Sequence, residues 1–189
     1  MDDTAVARPM RADARRNRDR LLAEARAAFL EHGVDASLEY IASGAGVGIG
    51  TLYRHFPTRE DLLAALLQNQ FDALTAEARR LLDREAAREA LTAWAYAFAE
   101  TSTVYRGLTA ALMATIRDEN SALHASCESM RQAGTTLLAR AQKAGELRPD
   151  IDPTEFFLLI AGLAWAHEQS PGQPLDRLLA VLFEGLTPR

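Results

Sequence analysis

Residues 37–56 read SLEYIASGAGVGIGTLYRHF, the pattern of two short helices joined by a glycine-containing turn. Ser37 is a favourable N-cap, because its hydroxyl can accept a hydrogen bond from a free backbone N–H group in the first turn. Gly46 suits a sharp left-handed turn. The second helix carries apolar residues at i, i+3, i+4 and i+7, which are Ile49, Leu52, Tyr53 and Phe56. This order predicts a helix-turn-helix.

A longer helix precedes this segment, and the chain is basic around its start. The apolar spacing predicts a first helix over residues 15–32, ended by Gly33, and we expect residues 1–13 to form a mobile basic arm. Residues 8–59 carry a net charge of +3, whereas the chain from residue 60 onward carries −6. A basic N-terminal third on an acidic body is typical of a DNA-binding domain attached to another module. A solvated charge run is the alternative.

The composition indicates an all-α protein. Of the 189 residues, 48% are hydrophobic and 25% are charged, which is ordinary for a soluble globular chain. Alanine and leucine, which both favour helices, make up a third of it. A single cysteine, Cys127, excludes an internal disulfide, and no paired Cys and His residues have zinc-site spacing. No apolar run approaches the roughly 20 residues of a membrane span, so we expect a cytoplasmic protein without metal or cofactor.

The remainder of the chain predicts further helices, about nine in all. Thr58 begins a long helix, with Asp61 as its capping-box partner. The segment 152–155 (Asp-Pro-Thr-Glu) is a strong start signal for another. The predicted spans are 58–82, 86–105, 108–117, 121–144, 152–168 and 175–186. We therefore expect a three-helix N-terminal domain followed by an antiparallel helical bundle.

Several short motifs occur together and in order between Leu21 and Leu63. They are Leu22, Ala28-Phe29, Gly33, Ser37-Leu38, Ile41-Ala42, Ala45-Gly46-Val47, Gly50-Thr51-Leu52-Tyr53-Arg54-His55-Phe56, Arg59 and Leu62-Leu63. This combination resembles the DNA-binding head of the TetR family of bacterial transcription regulators. The resemblance implies a DNA-binding domain over residues 14–57 and a ligand-sensing and dimerisation domain over residues 58–189.

The helix-turn-helix and the resemblance together imply a set of DNA contacts. The second helix of the helix-turn-helix would be the recognition helix, and its start, residues 48–51, would face the bases. Tyr53 and His55 would bond phosphates. N-terminal arginines would add salt-sensitive attraction, and Thr58 lies at a helix N-terminus that attracts phosphate. The candidate DNA-binding residues are Arg15, Arg16, Ser37, Tyr40, Gly48, Ile49, Gly50, Thr51, Tyr53, Arg54, His55, Thr58 and Arg59. Leu52 and Phe56 are expected in the core.

The C-terminal part resembles the family's ligand-sensing and dimerisation domain. The candidate ligand-binding residues are Trp94, Phe98, Tyr105, Met113, Arg117, His124, Cys127, Met130 and Trp165. Two apolar helices, over residues 156–165 and 175–186, are expected to pair with their copies in a homodimer. The candidate interface residues are Phe157, Ile160, Ala161, Ala164, Leu178, Val181 and Leu182. Ordinary core packing is the alternative for both sets.

These observations predict a sequence-specific transcriptional regulator. The resemblance implies a repressor that binds a palindromic operator as a homodimer and is released by a small-molecule effector. A non-specific architectural DNA-binding protein is the main alternative. A helical-bundle enzyme is a weaker one, because no glutamate has a histidine three residues later, as helical di-iron sites require.

Overall fold

The structure, a computed structural model, describes residues 7–102, 110–170 and 172–188. This described part contains nine helices and no strand, which confirms the all-α prediction. The helices are α1 (Ala7–His32), α2 (Leu38–Gly44), α3 (Ile49–His55), α4 (Arg59–Leu81), α5 (Ala87–Ser102), α6 (Ala110–Arg117), α7 (Ala122–Lys143), α8 (Pro153–Gln169) and α9 (Leu175–Gly185). None of these helices is long and apolar enough to cross a membrane.

Helix α1 begins earlier than the sequence pattern predicted. Its backbone is helical from Ala7, so the predicted mobile arm over residues 1–13 is helical in its second half. Pro9 is tolerated there because it lies in the first turn, where backbone N–H groups have no helical partner. The alanine and arginine residues that follow are good helix formers. The apolar stripe of α1 does not extend into these turns, because they carry few apolar residues.

The helix ends follow local sequence signals. Asp152 caps α8 in a reciprocal capping box: its Oδ1 accepts the Glu155 N–H at 2.8 Å, and Glu155 Oε2 accepts the Asp152 N–H at 3.0 Å. Gly33 follows α1 with a φ of +76°, and Gly46 follows α2 with a φ of +67°. Both values lie in the left-handed region, which glycine adopts without steric cost. The predicted cap and both predicted turns are therefore confirmed.

The chain divides into two compact units, and the division falls inside α4 rather than at its start. Among the described residues, the first unit comprises residues 7–67 and 110–115, and the second comprises residues 68–102, 116–170 and 172–188. The first unit contains α1, α2 and α3 around one apolar core. Its fully or nearly fully buried side chains include Leu21, Leu22, Ala25, Phe29, Ile41, Leu52, Phe56, Leu62 and Leu63.

The core of the second unit is centred on Trp94 of α5. Its ring stacks on Phe98 at 5.6 Å between centroids and meets the edge of Phe157 at 5.8 Å. Its indole N–H donates to the Leu74 carbonyl at 2.9 Å, which satisfies the buried polar atom. Helix α7 approaches this cluster closely at Gly134, where an added Cβ would lie 2.8 Å from Trp94 Cζ3 and 2.9 Å from Phe157 Cζ.

Candidate DNA-binding site

The helix-turn-helix is built by backbone bonds around Gly46. The Val47 N–H donates to the Ala42 carbonyl at 3.0 Å and closes the turn. Gly48 is the N-cap of α3, and its carbonyl accepts the Thr51 N–H at 2.8 Å, but it has no side chain to cap the helix. Leu52 is fully buried in the core of the first unit, and this fixes which face of α3 points outward. The outward face is available to a partner.

That outward face of α3 carries the residues predicted to read DNA. Gly48, Gly50 and Arg54 are exposed, as is Tyr53, while Ile49, Thr51 and His55 are partly exposed. A Cβ added at Gly48 or Gly50 would meet no atom of the described residues beyond its own helix within 4 Å. The packing of this chain therefore does not require glycine at either position. The bare backbone leaves room for a close approach from outside.

Tyr40, on α2, is another residue predicted to contact DNA. It is 56% exposed, and its ring meets the edge of the His32 ring at 5.8 Å between centroids. The Ser37 hydroxyl accepts the Tyr40 N–H at 3.2 Å and donates to Glu39 Oε2 at 2.9 Å. The predicted N-cap is confirmed, but the hydroxyl proton of Ser37 already has an acceptor within the chain.

Glu39, which precedes Tyr40 in the chain, carries a negative charge next to this predicted contact. Its pKa lies below the ordinary value because a backbone N–H group and the Ser37 hydroxyl donate to its carboxylate, and the positive charge of Arg59 adds to the effect. The carboxylate is exposed, so solvent screens it. Sequence reasoning did not include Glu39 in the site.

The start of α4 forms a capping box. The Thr58 N–H donates to Asp61 Oδ2 at 3.0 Å, and Thr58 Oγ1 accepts the Asp61 N–H at 3.0 Å. Thr58 was predicted to help bind phosphate at this helix N-terminus. The Thr58 hydroxyl also donates to Asp61 Oδ2 at 2.8 Å, so the N–H and the hydroxyl of Thr58 both have an acceptor within the chain.

Arg59, the other residue predicted to contact phosphate here, is also bonded within the chain. Its Nη1 donates to the Val34 carbonyl at 2.8 Å and to the Ala36 carbonyl at 2.6 Å. Both carbonyls belong to the loop between α1 and α2, more than 20 residues earlier in the chain. Sequence spacing gave no sign of this contact.

The arginines of α1 differ in their surroundings. Arg15 is exposed, and Arg16 pairs with exposed Asp13 one turn away. Arg18 lies with its guanidinium carbon 5.7 Å from the centre of the Phe56 ring, at the end of α3. A cation–π contact of this kind links α1 to the helix-turn-helix. Only the folded arrangement reveals this contact between Arg18 and Phe56.

The predicted ligand-binding residues are distributed between core and surface. Trp94 and Met130 are buried in the core, Phe98 and Cys127 are half-buried, and Trp165 is 65% exposed on α8. Burial raises the pKa of the Cys127 thiol, and the Glu128 carboxylate adds to this shift. Trp94 in the core and Trp165 on the surface therefore do not line one ligand pocket.

The polar members of that predicted set lie at the start of α7 and the end of α6. His124 Nδ1 is 2.9 Å from the Ile116 carbonyl, and Arg117 is exposed. Tyr105 and the side chain of Met113 lie outside the described residues. Within residues 7–102, 110–170 and 172–188, no three His, Cys, Asp or Glu side chains are grouped closely enough to hold a metal ion.

The predicted dimer residues lie on two different faces of α8 and α9. Phe157, Ile160 and Ala164 are buried within the protomer and pack in the core of the second unit. Ala161 and Val181 are exposed instead. A groove of about 440 Å³ runs between the two helices on this outer side. It is lined by Leu158, Leu159, Gly162, Leu163, Arg177, Leu178, Val181 and Leu182.

The fold and the exposed α3 define a helix-turn-helix DNA-binding protein. A family model described as bacterial regulatory proteins, tetR family, matches residues 21–66. A second, described as transcriptional regulator SbtR-like, C-terminal domain, matches residues 86–188. The chain therefore belongs to the TetR family of transcriptional regulators, and it is a DNA-binding regulator of that family.

Individual relatives agree with this membership. The TetR transcriptional regulator SCO0520 from Streptomyces coelicolor is 39% identical, with a TM-score of 0.72 over 90% of this chain and 98% of that one. The TetR transcription regulatory protein from Mycobacterium vanbaalenii is 29% identical, with a TM-score of 0.67 over 95% and 100%. An HTH-type transcriptional regulator of Staphylococcus aureus is 39% identical over 75 residues, which span 39% of this chain and 40% of that relative.

Proposed function

We propose that this regulator is a repressor that binds a palindromic operator as a homodimer and is released by a small-molecule effector. The observation that carries the DNA-reading part is the outward face of α3. It combines two exposed glycines with open space above them, a partly exposed Thr51, and exposed Tyr53 and Arg54. Thr51 would meet a base or phosphate in the major groove, and Tyr53, Arg54 and His55 would flank it.

The homodimer is supported by the outer side of α8 and α9. Leu158 is 67% exposed, Trp165 is 65% exposed and Val181 is 60% exposed, so a large apolar surface faces solvent. Leu158 and Val181 line the same groove, and an exposed apolar patch of this kind on a folded protein marks an interaction site. A second copy is the occupant we propose, because a two-fold dimer places two recognition helices about 34–36 Å apart on a palindrome.

The effector part of the proposal concerns the second unit. Phe98, His124 and Cys127 are half-buried and lie on α5 and α7. Partly buried apolar groups beside one polar ring would suit a small, mainly apolar ligand. Binding would release DNA only if the ligand prefers the conformation that binds DNA poorly. The repressor assignment rests on family membership alone.

Selection from a random duplex library tests the proposal. Purified full-length protein is incubated with the library at low salt, and the retained duplexes are sequenced. We expect an enriched pseudo-palindrome. Retention without enrichment, lost steeply as salt rises, would replace the proposal with non-specific architectural binding. The enriched duplex then serves as the probe for a metabolite panel, in which an effector must both raise the melting temperature and release the DNA.

A further inference from the structure

The resemblance to TetR regulators implies that Arg59 contacts phosphate. Its guanidinium group is nevertheless bonded to backbone carbonyls of this chain. Both hydrogens of one terminal nitrogen are taken up by the carbonyls of Val34 and Ala36, at 2.8 and 2.6 Å. Such charge-assisted bonds are short and strong, and they are partly shielded from solvent here. A DNA phosphate that recruited this nitrogen would have to break at least one of them.

The segment that Arg59 holds leads directly into the DNA-facing part of α2. The loop of residues 33–36 has one backbone bond of its own, from the Ala36 N–H to the Gly33 carbonyl at 3.1 Å. The next residue is Ser37, the N-cap of α2, and Tyr40 follows one turn later. The orientation of the Tyr40 side chain on the surface therefore depends on the conformation of this loop.

A similar arginine-to-backbone contact occurs in the second unit. Arg140 of α7 donates to the Leu81 carbonyl at 3.4 Å and to the Glu85 carbonyl at 3.2 Å, where α4 ends. Arginine is suited to this task because its planar group presents several donors in a fixed arrangement. In this chain, guanidinium groups hold loop carbonyls in both units.

We propose that Arg59 is a positioning residue of the DNA-binding surface, which holds the loop before α2 and so orients Ser37 and Tyr40, and that it does not itself bind phosphate. This inference rests on the proposed DNA site. The two roles differ in their dependence on salt. A lost phosphate contact makes the slope of log affinity against log salt shallower by about 0.9, whereas a lost positioning contact leaves the slope unchanged.

The test uses full-length Arg59→Met and, as a matched control, Arg54→Met, which removes the same charge from the exposed face of α3. Affinity for the selected duplex is measured at several salt concentrations, and amide hydrogen exchange is measured without DNA. We expect Arg59→Met to weaken binding about tenfold at an unchanged slope, as loss of charge-assisted bonds implies. We also expect faster exchange at Ala36, Tyr40 and Ile41. Arg54→Met should leave the exchange of these amides at wild-type rates.

A slope shallower by about 0.9 in Arg59→Met, or exchange unchanged at the loop amides, overturns the inference. If Arg59→Met loses its helical circular dichroism, Arg59→Lys replaces it. Lysine keeps the charge but not the planar guanidinium, so positioning predicts faster loop exchange and weaker binding, whereas a phosphate contact predicts wild-type values. Failure of the wild-type protein to bind any duplex defeats the proposed function instead, and the exchange measurement still decides whether Arg59 holds the loop.

Discussion

Gly134 in the second unit and Gly50 in the first are glycines for opposite reasons. The space beside Gly134 is filled by the rings of Trp94 and Phe157, so the protein itself leaves no room for a Cβ. The space beside Gly50 is open, and outside its own helix no described residue has an atom within 4 Å of a Cβ built there. A requirement at Gly134 is therefore imposed by the fold. A requirement at Gly50 would come from a partner, which is DNA under the proposed function.

The largest effect is expected when a side chain is added at Gly134, where the rings of Trp94 and Phe157 already occupy the space. Gly134→Val should lower the free energy of unfolding by about 3 kcal/mol, because Trp94 is fully buried and cannot move aside without strain. Thermal denaturation should show a melting temperature roughly 6–12 °C lower. The matched control is Gly50→Val, for which we expect a change within about 0.5 kcal/mol. Equal losses for the two variants would show that the contrast between these glycines is mistaken.

The next effect concerns the apolar face of α8 and α9, the proposed homodimer surface. Val181→Glu should weaken the proposed homodimer by about 2 kcal/mol or more, because a carboxylate would be buried against the partner copy. Sedimentation equilibrium measures this change. Leu30→Glu, at an exposed leucine of α1, is the control and should leave self-association unaltered. A monomeric wild-type protein would remove the basis for the groove as a dimer surface.

A smaller effect is expected when a methyl group is added at Gly50, where the space is open. Gly50→Ala should weaken binding to the selected duplex by about 1 kcal/mol, because the added methyl group meets the DNA at a close-packed contact. The same change should leave folding intact or stabilise α3 by up to about 1 kcal/mol, since alanine favours helices. Fluorescence anisotropy and thermal denaturation separate the two. Wild-type affinity in this variant would mean that DNA does not approach α3 at Gly50.

The smallest effect is a change in the acid stability of the first unit. The pKa of Glu39 in the folded protein is lowered from its ordinary value of 4.5. Its hydrogen bonds therefore contribute stability above that pH, and the contribution is lost as the pH falls through the lower folded value. Glu39→Gln should reduce the loss of stability below about pH 4.5, as measured by urea denaturation at pH 3 to 7. An identical pH profile in the variant would refute this assignment.

Local sequence signals were sufficient for the helix ends and the central turn. Ser37 caps α2, Asp152 and Glu155 form their capping box, and Gly33 and Gly46 adopt positive φ values as predicted. Each of these features is settled by residues within four positions of one another. The start of α1 is the exception, because its first turns lack the apolar stripe on which the prediction relied.

The surroundings of individual site residues were much less accessible to sequence reasoning. Trp94 and Trp165 have the same side chain and both lie on predicted helices, yet one is fully buried and the other is 65% exposed. Apolar spacing identifies a face of a helix but does not say which neighbour covers it. For α8, which is apolar nearly all round, the spacing could not separate the core residue Ile160 from the exposed residue Leu158.

Helical content, the helix-turn-helix and membership of the TetR family follow from residues close together along the chain. The loop contact of Arg59, the packing of Gly134 against Trp94 and the outward position of Trp165 follow only from the folded structure. The physical reason is the range of the interactions. Caps, turns and helix propensity act within a few residues, whereas side-chain packing and long-range hydrogen bonds join segments 20 or more residues apart.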